Sequence, residues 1–210
     1  MDDNYIVFEP KLEVEISKAV SLQFKVPPNH PWYNNFIELK TNVKAMLDEY
    51  EIFRGRVLSI SRDFYNIKTI ECEGDLAYLV DSVQKGEKYN GTTHGLFQRL
   101  IDRHNARVNE DRRFTVGTIG IENRSVKIAG QDEEINTGSI DFKQIAINSI
   151  VDEWQNTYDY IKTCLIDYTG GYLRTRHVNG ETYIDLITDF GTNSTQEISL
   201  TENMLDFLTS

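Results

Sequence analysis

Leu12, Val14 and Ile16 alternate with Glu13 and Glu15, and Leu22, Phe24 and Val26 repeat that period of two. Both stretches predict half-buried strands. Pro27-Pro28-Asn29-His30-Pro31 then stops regular structure, because proline removes a backbone donor and restricts the residue before it. Glu51 to Arg62 and Phe64 to Glu73 are two further β patterns, parted by a polar break around Ser61 to Asp63. Four strands before residue 75 predict a small barrel or sandwich. At Gly74 the strand pattern gives way to a short amphipathic helix within Asp75 to Ser82.

From Thr92 the period changes. Leu96, Leu100, His104 and Val108 recur every fourth residue with Phe97 and Ile101 beside them, which is one apolar stripe of a helix. Thr92 or Thr93 suits its N-cap, and Thr93 to Asn109 would span roughly 25 Å. Phe114 to Ile121 returns to β character, with Ser125 to Ile128 as the expected hairpin partner across Glu122-Asn123-Arg124. Ile140 to Ser149 reads as a strand, although Ile145, Ala146 and Ile147 also suit a helix. A second helix is expected from Thr157, with Tyr158, Ile161, Leu165 and Ile166 on one side, ending at Gly170. Tyr172 to His177 and Thr182 to Ile187 flank Asn179-Gly180, the dipeptide favoured in type I′ turns because both positions need positive φ. Gln196 to Leu200 predicts a last strand, and Thr201 caps a final helical turn with Met204, Leu205 and Leu208.

Charge narrows the function classes. Thirty-three acidic against 22 basic residues give a net charge of −11, which repels a nucleic acid backbone and argues against sequence-specific nucleic acid binding. No charged-then-apolar stretch opens the chain, and no apolar run approaches the roughly 18 residues that span a bilayer. The expectation is a soluble chain made in the cytoplasm.

Candidate chemistry is sparse. Cys72 lies in a strand pattern and Cys164 on the apolar side of a helix, so both read as small buried hydrophobes. Burial of Cys164 would suppress the thiolate that a thiol protease needs. His30, His94, His104 and His177 form no zinc-ligand spacing with each other or with cysteine, and there is no Gly-x-Ser-x-Gly elbow. Glu71 and Glu73 share one strand face, as a glycosidase pair could, but read as a solvated face. Gly117 and Gly120 fit a bulge or close backbone approach rather than a phosphate cradle. His104 reads as a half-buried, satisfied histidine. No residue is assigned a catalytic, cofactor-binding or metal-binding role, and no cofactor is expected.

Several stretches, taken in order, resemble a known family. Phe8-Glu9-Pro10-Lys11-Leu12, the Pro27 to Pro31 loop, Phe53-Arg54-Gly55-Arg56-Val57 and Glu73-Gly74-Asp75-Leu76-Ala77-Tyr78-Leu79-Val80-Asp81-Ser82 come first. Leu100 to Val108 with its His104-Asn105 pair, Phe114-Thr115-Val116-Gly117, Gly170-Gly171-Tyr172-Leu173-Arg174 and Asn203-Met204-Leu205-Asp206-Phe207 complete the series. It resembles the N-terminal region of phage tail-tip baseplate hub proteins, the tail-associated lysin or prophage endopeptidase tail family. The resemblance implies an α+β fold: a small β-barrel-like hub domain over residues 1–90, an inserted α/β subdomain over 91–169, and a hairpin and strand over 170–210 returning to the hub domain.

By the same resemblance the chain is a structural virion protein of the tail tip, assembled in the host bacterial cytoplasm. It would form a trimer in the full-length hub, in contact with the tail tube, the distal tail protein and the tape-measure protein. Lytic activity in the family belongs to C-terminal additions, so this region is expected not to be an enzyme. Against the family pattern, the chain starts close to the second strand and stops near where a second barrel domain begins. That fits either a fragment or a short variant, and 122–153 matches poorly. The alternatives are a peptidase or cell-wall hydrolase, and a spike-hub adaptor of a contractile secretion system.

Overall fold

The computed structural model describes residues 6–15, 18–120, 125–127, 134–136, 146–150, 153–167 and 171–187. Five strands, β1 (Phe8–Glu13), β2 (Ser21–Val26), β3 (Asn42–Leu47), β4 (Tyr50–Arg62) and β5 (Lys68–Gly74), form one antiparallel sheet in the order β1-β2-β5-β4-β3, curled into a half-barrel. Alternation drives the curl: Leu22, Phe24 and Val26 of β2 face Phe53 and Val57 of β4 and Ile70 and Cys72 of β5 in one buried cluster. The proline loop folds across this core, with Tyr33 and Phe36 packed on it and the Phe36 ring edge-on to Phe24 at 5.9 Å.

Three details of this sheet depart from what the sequence predicts. There are five strands before residue 75, not four, because β3 pairs along β4. The first strand starts at Phe8 and stops at Glu13, so Val14 is exposed, and Ile16 lies outside the described residues. As an edge strand pairing only with β2, it has little core to face. The β4–β5 turn covers Asp63 to Ile67, so Phe64 and Tyr65 belong to its exposed tip rather than to β5. Asp63 makes that turn by accepting from the backbone N–H groups of Tyr65 and Ile67.

At Gly55 the β4 and β5 backbones approach closely. A Cβ on Gly55 would lie 2.0 Å from the Glu73 carbonyl oxygen, so no larger residue fits without moving the sheet. Alternation on either side of it sends Phe53 and Val57 into the core, while Arg54 and Arg56 stay on the opposite face.

A second core follows. A 3₁₀ helix (Asp75–Asp81) leads into β6 (Val83–Gln84), β7 (Lys88–Thr92) and α1 (Thr93–Asn105), whose Leu96, Phe97, Leu100, Ile101 and His104 are fully buried. Thr92 is the N-cap, its hydroxyl accepting from the Gly95 N–H at 3.0 Å. The helix ends at Asn105 rather than Asn109, because Asn105 turns its amide to the chain beyond and bonds both backbone groups of Phe114.

β8 (Thr115–Gly120) does not form a hairpin with the following strand. It pairs in parallel with a strand near the end of the described chain, while β9 (Ser125–Lys127) pairs with β10 (Glu134–Asn136). β11 (Ala146–Ile150) pairs with β7, and β12 (Gln155–Asn156) pairs with β6. α2 (Thr157–Ile161) is capped by Asn156 and continues as a π turn over Lys162–Ile166, burying Tyr160, Ile161, Cys164 and Leu165. β13 (Tyr172–Val178) and β14 (Glu181–Ile187) form the expected hairpin, with β14 between β13 and β8. The expected elements at Ile140 to Ile145, Gly170, Gln196 to Leu200 and Thr201 to Leu208 lie outside the described residues.

Asn179 and Gly180 have φ of 52° and 88°, and the space around a Gly180 Cβ is open. A substitution there tests backbone strain alone. Gly180→Val is expected to cost about 1 to 3 kcal/mol in chemical denaturation, and an unchanged midpoint would show that the turn does not hold this conformation.

Candidate functional site

Arg56, nearly buried, gathers the half-barrel and the second core around it. Its Nε donates to Glu73 at 2.7 Å, and its two terminal nitrogens donate to the two oxygens of Asp81 at 2.5 and 2.8 Å. Its guanidinium also sits 5.2 Å from the Tyr78 ring centre. Burial alone would disfavour the Arg56 charge, but Asp81 and Glu73 outweigh it and raise its pKa. Burial likewise works against ionised Asp81, and the bonds from Arg56 and Arg112 more than offset it, holding that carboxyl below its ordinary range. Arg112 donates to Asp81 at 2.8 Å and to the Leu39 carbonyl at 2.6 Å, so one guanidinium spans both cores.

A directed hydrogen-bond chain continues inward. His104 Nε2 lies 3.0 Å from the Arg112 carbonyl, which can only accept, so Nε2 carries the proton and Nδ1 accepts from the Ser82 hydroxyl at 2.7 Å. Ser82 in turn meets Thr157 at 2.6 Å, and Thr157 accepts from Gln84 at 2.8 Å. Burial lowers the His104 pKa, only partly opposed by the Arg112 carbonyl, which keeps the ring in the neutral form this chain requires.

The other candidates from the sequence are occupied in packing. Glu71 accepts from Ser59 and Gln23, and Glu73 is held by Arg56, so the two acids do not face a shared cleft as a catalytic pair. Cys72 and Cys164 are buried and neither is in a disulfide, and burial pushes the Cys72 thiol up to about 12. The buried His30 accepts at Nδ1 from the Trp32 N–H, and His94 lies half-buried on α1. Gly117 lies against Asp185, whose Oδ1 would be 2.1 Å from a Cβ there, so it serves close approach; Gly120 faces open space. Among the described residues, no group of three or more His, Cys, Asp or Glu could hold a metal ion.

One cluster was not singled out from the sequence. Asp75, the first residue after β5, is 3% exposed and lines a cleft of about 340 Å³ between the half-barrel and β13. His177 on β13 brings Nε2 to 2.8 Å from Asp75 Oδ2, outside hydrogen-bonding geometry, while its Nδ1 lies 3.2 Å from the Thr182 hydroxyl. Glu51 stands 3.6 Å from the same imidazole and is itself held at two points by Arg54. The only signal in the sequence was Gly74-Asp75 at a strand end, which reads equally well as a solvated turn.

Carboxylate, imidazole and hydroxyl thus stand in a row. A hydroxyl nucleophile needs the imidazole to take a proton and the carboxylate to stay ionised. Burial disfavours the ionised carboxylate and, while keeping the imidazole neutral, makes it a weaker base. It pushes Asp75 up to about 7, with Arg54 opposing and Glu51 adding. It lowers His177, with Arg54 and Lys44 adding to the effect and Glu51 opposing. Both shifts work against activation of the Thr182 hydroxyl by this row.

No family model matches the chain, and no curated protein matches it. Among solved structures it is similar to the tail protein from Neisseria meningitidis MC58, at 11% identity over 81% of this chain and 43% of that chain, with a TM-score of 0.46. It is also similar to the prophage tail protein gp18 from Listeria monocytogenes EGD-e, at 14% identity over 88% of this chain and 45% of that chain, with a TM-score of 0.41. The chain spans less than half the length of either structure.

Because folding raises the Asp75 pKa, the group contributes stability that is fully present below its ordinary value of 3.8 and is lost as pH rises through about 7. The lowered His177 acts in the opposite sense, contributing stability above its ordinary value of 6.5 that is lost as pH falls. Asp75→Asn removes the first effect and keeps the shape. Its stability relative to the unsubstituted protein is expected to rise by about 2 kcal/mol between about pH 5.5 and about pH 8.5 in urea titrations. A difference that stays flat with pH would show that Asp75 is not desolvated.

Proposed function

We propose that this chain is a structural part of the hub of a phage or prophage tail tip. In this reading it assembles around the tail axis as a trimer in the full-length hub, and links the tail tube and distal tail ring to downstream receptor-binding or lytic parts. The distal tail protein and the tape-measure protein are its neighbours, and the virion tail tip is its place. The ordered series of motifs from Phe8 to Asn203 carries the reading.

The roles of those motifs in packing support it. Phe53 and Val57 enter the half-barrel core, Gly55 permits the close crossing of β4 and β5, and Asp81 joins two arginines. The His104-Asn105 pair ties α1 to the chain between Arg112 and Phe114. Of these, Asp81 and the His104-Asn105 pair hold separate segments in one arrangement. No catalytic role is proposed for this region. The row of Asp75, His177 and Thr182 is the observation that favours the alternative, a peptidase or cell-wall hydrolase, and its electrostatics count against it. A spike-hub adaptor of a contractile secretion system would be distinguished by its gene neighbours, which would lack a tape-measure and distal tail protein.

Incubated with purified cell wall, the chain is expected to release neither muropeptide nor free peptide. Release that disappears in His177→Ala or Asp75→Asn would establish the hydrolase instead. On purified virions or induced prophage particles, antibodies raised against the chain are expected to label only the distal end of the tail. Labelling along the tube, or of cell envelopes without particles, would overturn the tail-tip reading.

A further inference from the structure

Asp75 lines clefts on two sides, the one of about 340 Å³ described above and a more polar one of about 660 Å³ reached past Lys44 and Thr182. The other charged groups around the smaller cleft are paired: Glu15 with Lys18 at 2.7 Å, Glu51 with Arg54, and Arg174 with Asp185 at 2.9 Å. Asp75 differs. Although it is 3% exposed, neither of its oxygens receives a hydrogen bond from another residue, only its own backbone N–H acts on the carboxylate, and the imidazole beside it is out of line. A buried carboxylate so poorly supplied with donors carries a desolvation cost that an incoming donor would relieve.

The geometry points to a binding site in this cleft for a guanidinium group, the arginine side chain of another polypeptide, with its fork on the two oxygens of Asp75 and its methylene stem along Leu76 and Leu173. Two parallel N–H donors match two free oxygens, and a guanidinium sheds water more readily than an ammonium does. Arg54 on Glu51 displays the same two-point pairing within the cleft. Leu76, Leu173 and Phe53 supply the apolar wall that an arginine stem covers. His177, whose side chain is 21% exposed, is the group that swings aside to admit the fork. Lys44 and Arg54 act on Asp75 through space and Glu51 opposes them, while Arg54 is itself held at two points by Glu51, so no cation is seated on the Asp75 oxygens. The site stands independently of the tail-tip reading.

Amide and imidazole NMR titrations of the chain test it, with ethylguanidinium, ethylammonium and the peptide acetyl-Gly-Arg-Gly-amide as probes at about pH 7.5, above the Asp75 transition. Saturable shifts are expected at Asp75, Leu76 and His177, with ethylguanidinium bound at least about tenfold more tightly than ethylammonium. The peptide is expected to bind at least as tightly as ethylguanidinium. Asp75→Asn, checked by its cooperative melting, is expected to weaken binding by about tenfold or more. His177→Ala, which clears the entry, is expected to retain or strengthen it. Absence of saturation, equal affinity for the two small cations, or binding undiminished in Asp75→Asn would overturn the site. Binding of ethylguanidinium but not of the peptide would overturn the polypeptide as its source.

Discussion

The arrangement of the two cores depends on one carboxylate held between two guanidiniums. Asp81, at the end of the 3₁₀ helix, receives Arg56 from β4 and Arg112 from the turn after α1. Arg56 also holds Glu73 on β5, and Arg112 also reaches Leu39 in the loop that covers the half-barrel. Two cations and two anions balance, which is the condition under which ionised groups tolerate this degree of burial. Losing one member would leave its partners desolvated and uncompensated, so the cluster acts as a unit.

The neutral relay complements that charged cluster. The Arg112 carbonyl accepts a hydrogen bond from His104 while its side chain donates to Asp81, so a single residue couples the ion cluster to the chain through Ser82, Thr157 and Gln84. Ser82, Gln84, His104 and Thr157 are all buried. Each hydrogen bond fixes the donor sense of the next, so α1, α2 and the segment from Ser82 to Gln84 are oriented by polarity as well as by packing. The apolar contacts of α1 alone would tolerate more sliding than these directed bonds do.

Local chemistry was legible in the sequence where it acts over a few residues. The alternation of Leu22, Phe24 and Val26, the helical stripe from Leu96 to His104, the Thr92 cap and the Asn179-Gly180 turn all lie in the positions their patterns indicate. What was not legible depends on partners far along the chain. β3 is an edge strand whose exposed Met46 and Leu47 dilute its alternation. The aromatic pair Phe64-Tyr65 has strand propensity, yet the Asp63 turn places it outside the sheet. Asp75 and His177 meet only because β13 returns against the half-barrel, and no local pattern announces such a meeting. His104-Asn105 was visible as a motif, but its role as a clamp appears only once Arg112 and Phe114 are in place.

The position of β14 between β13 and β8 also bears on biosynthesis. Every strand of the half-barrel lies within residues 8–74, so that sheet can close while the ribosome is still making the rest. β8 is synthesised early, yet it pairs in parallel with a strand ending at Ile187, and a long loop must be closed before that pairing is rewarded. Until Ile187 emerges, Ile184 and Leu186 are missing from the cluster around α1 and one edge of β8 lacks this partner. A nascent chain stalled or cleaved before that point therefore combines a complete half-barrel with an open, apolar second half, the form that chaperones and proteases engage.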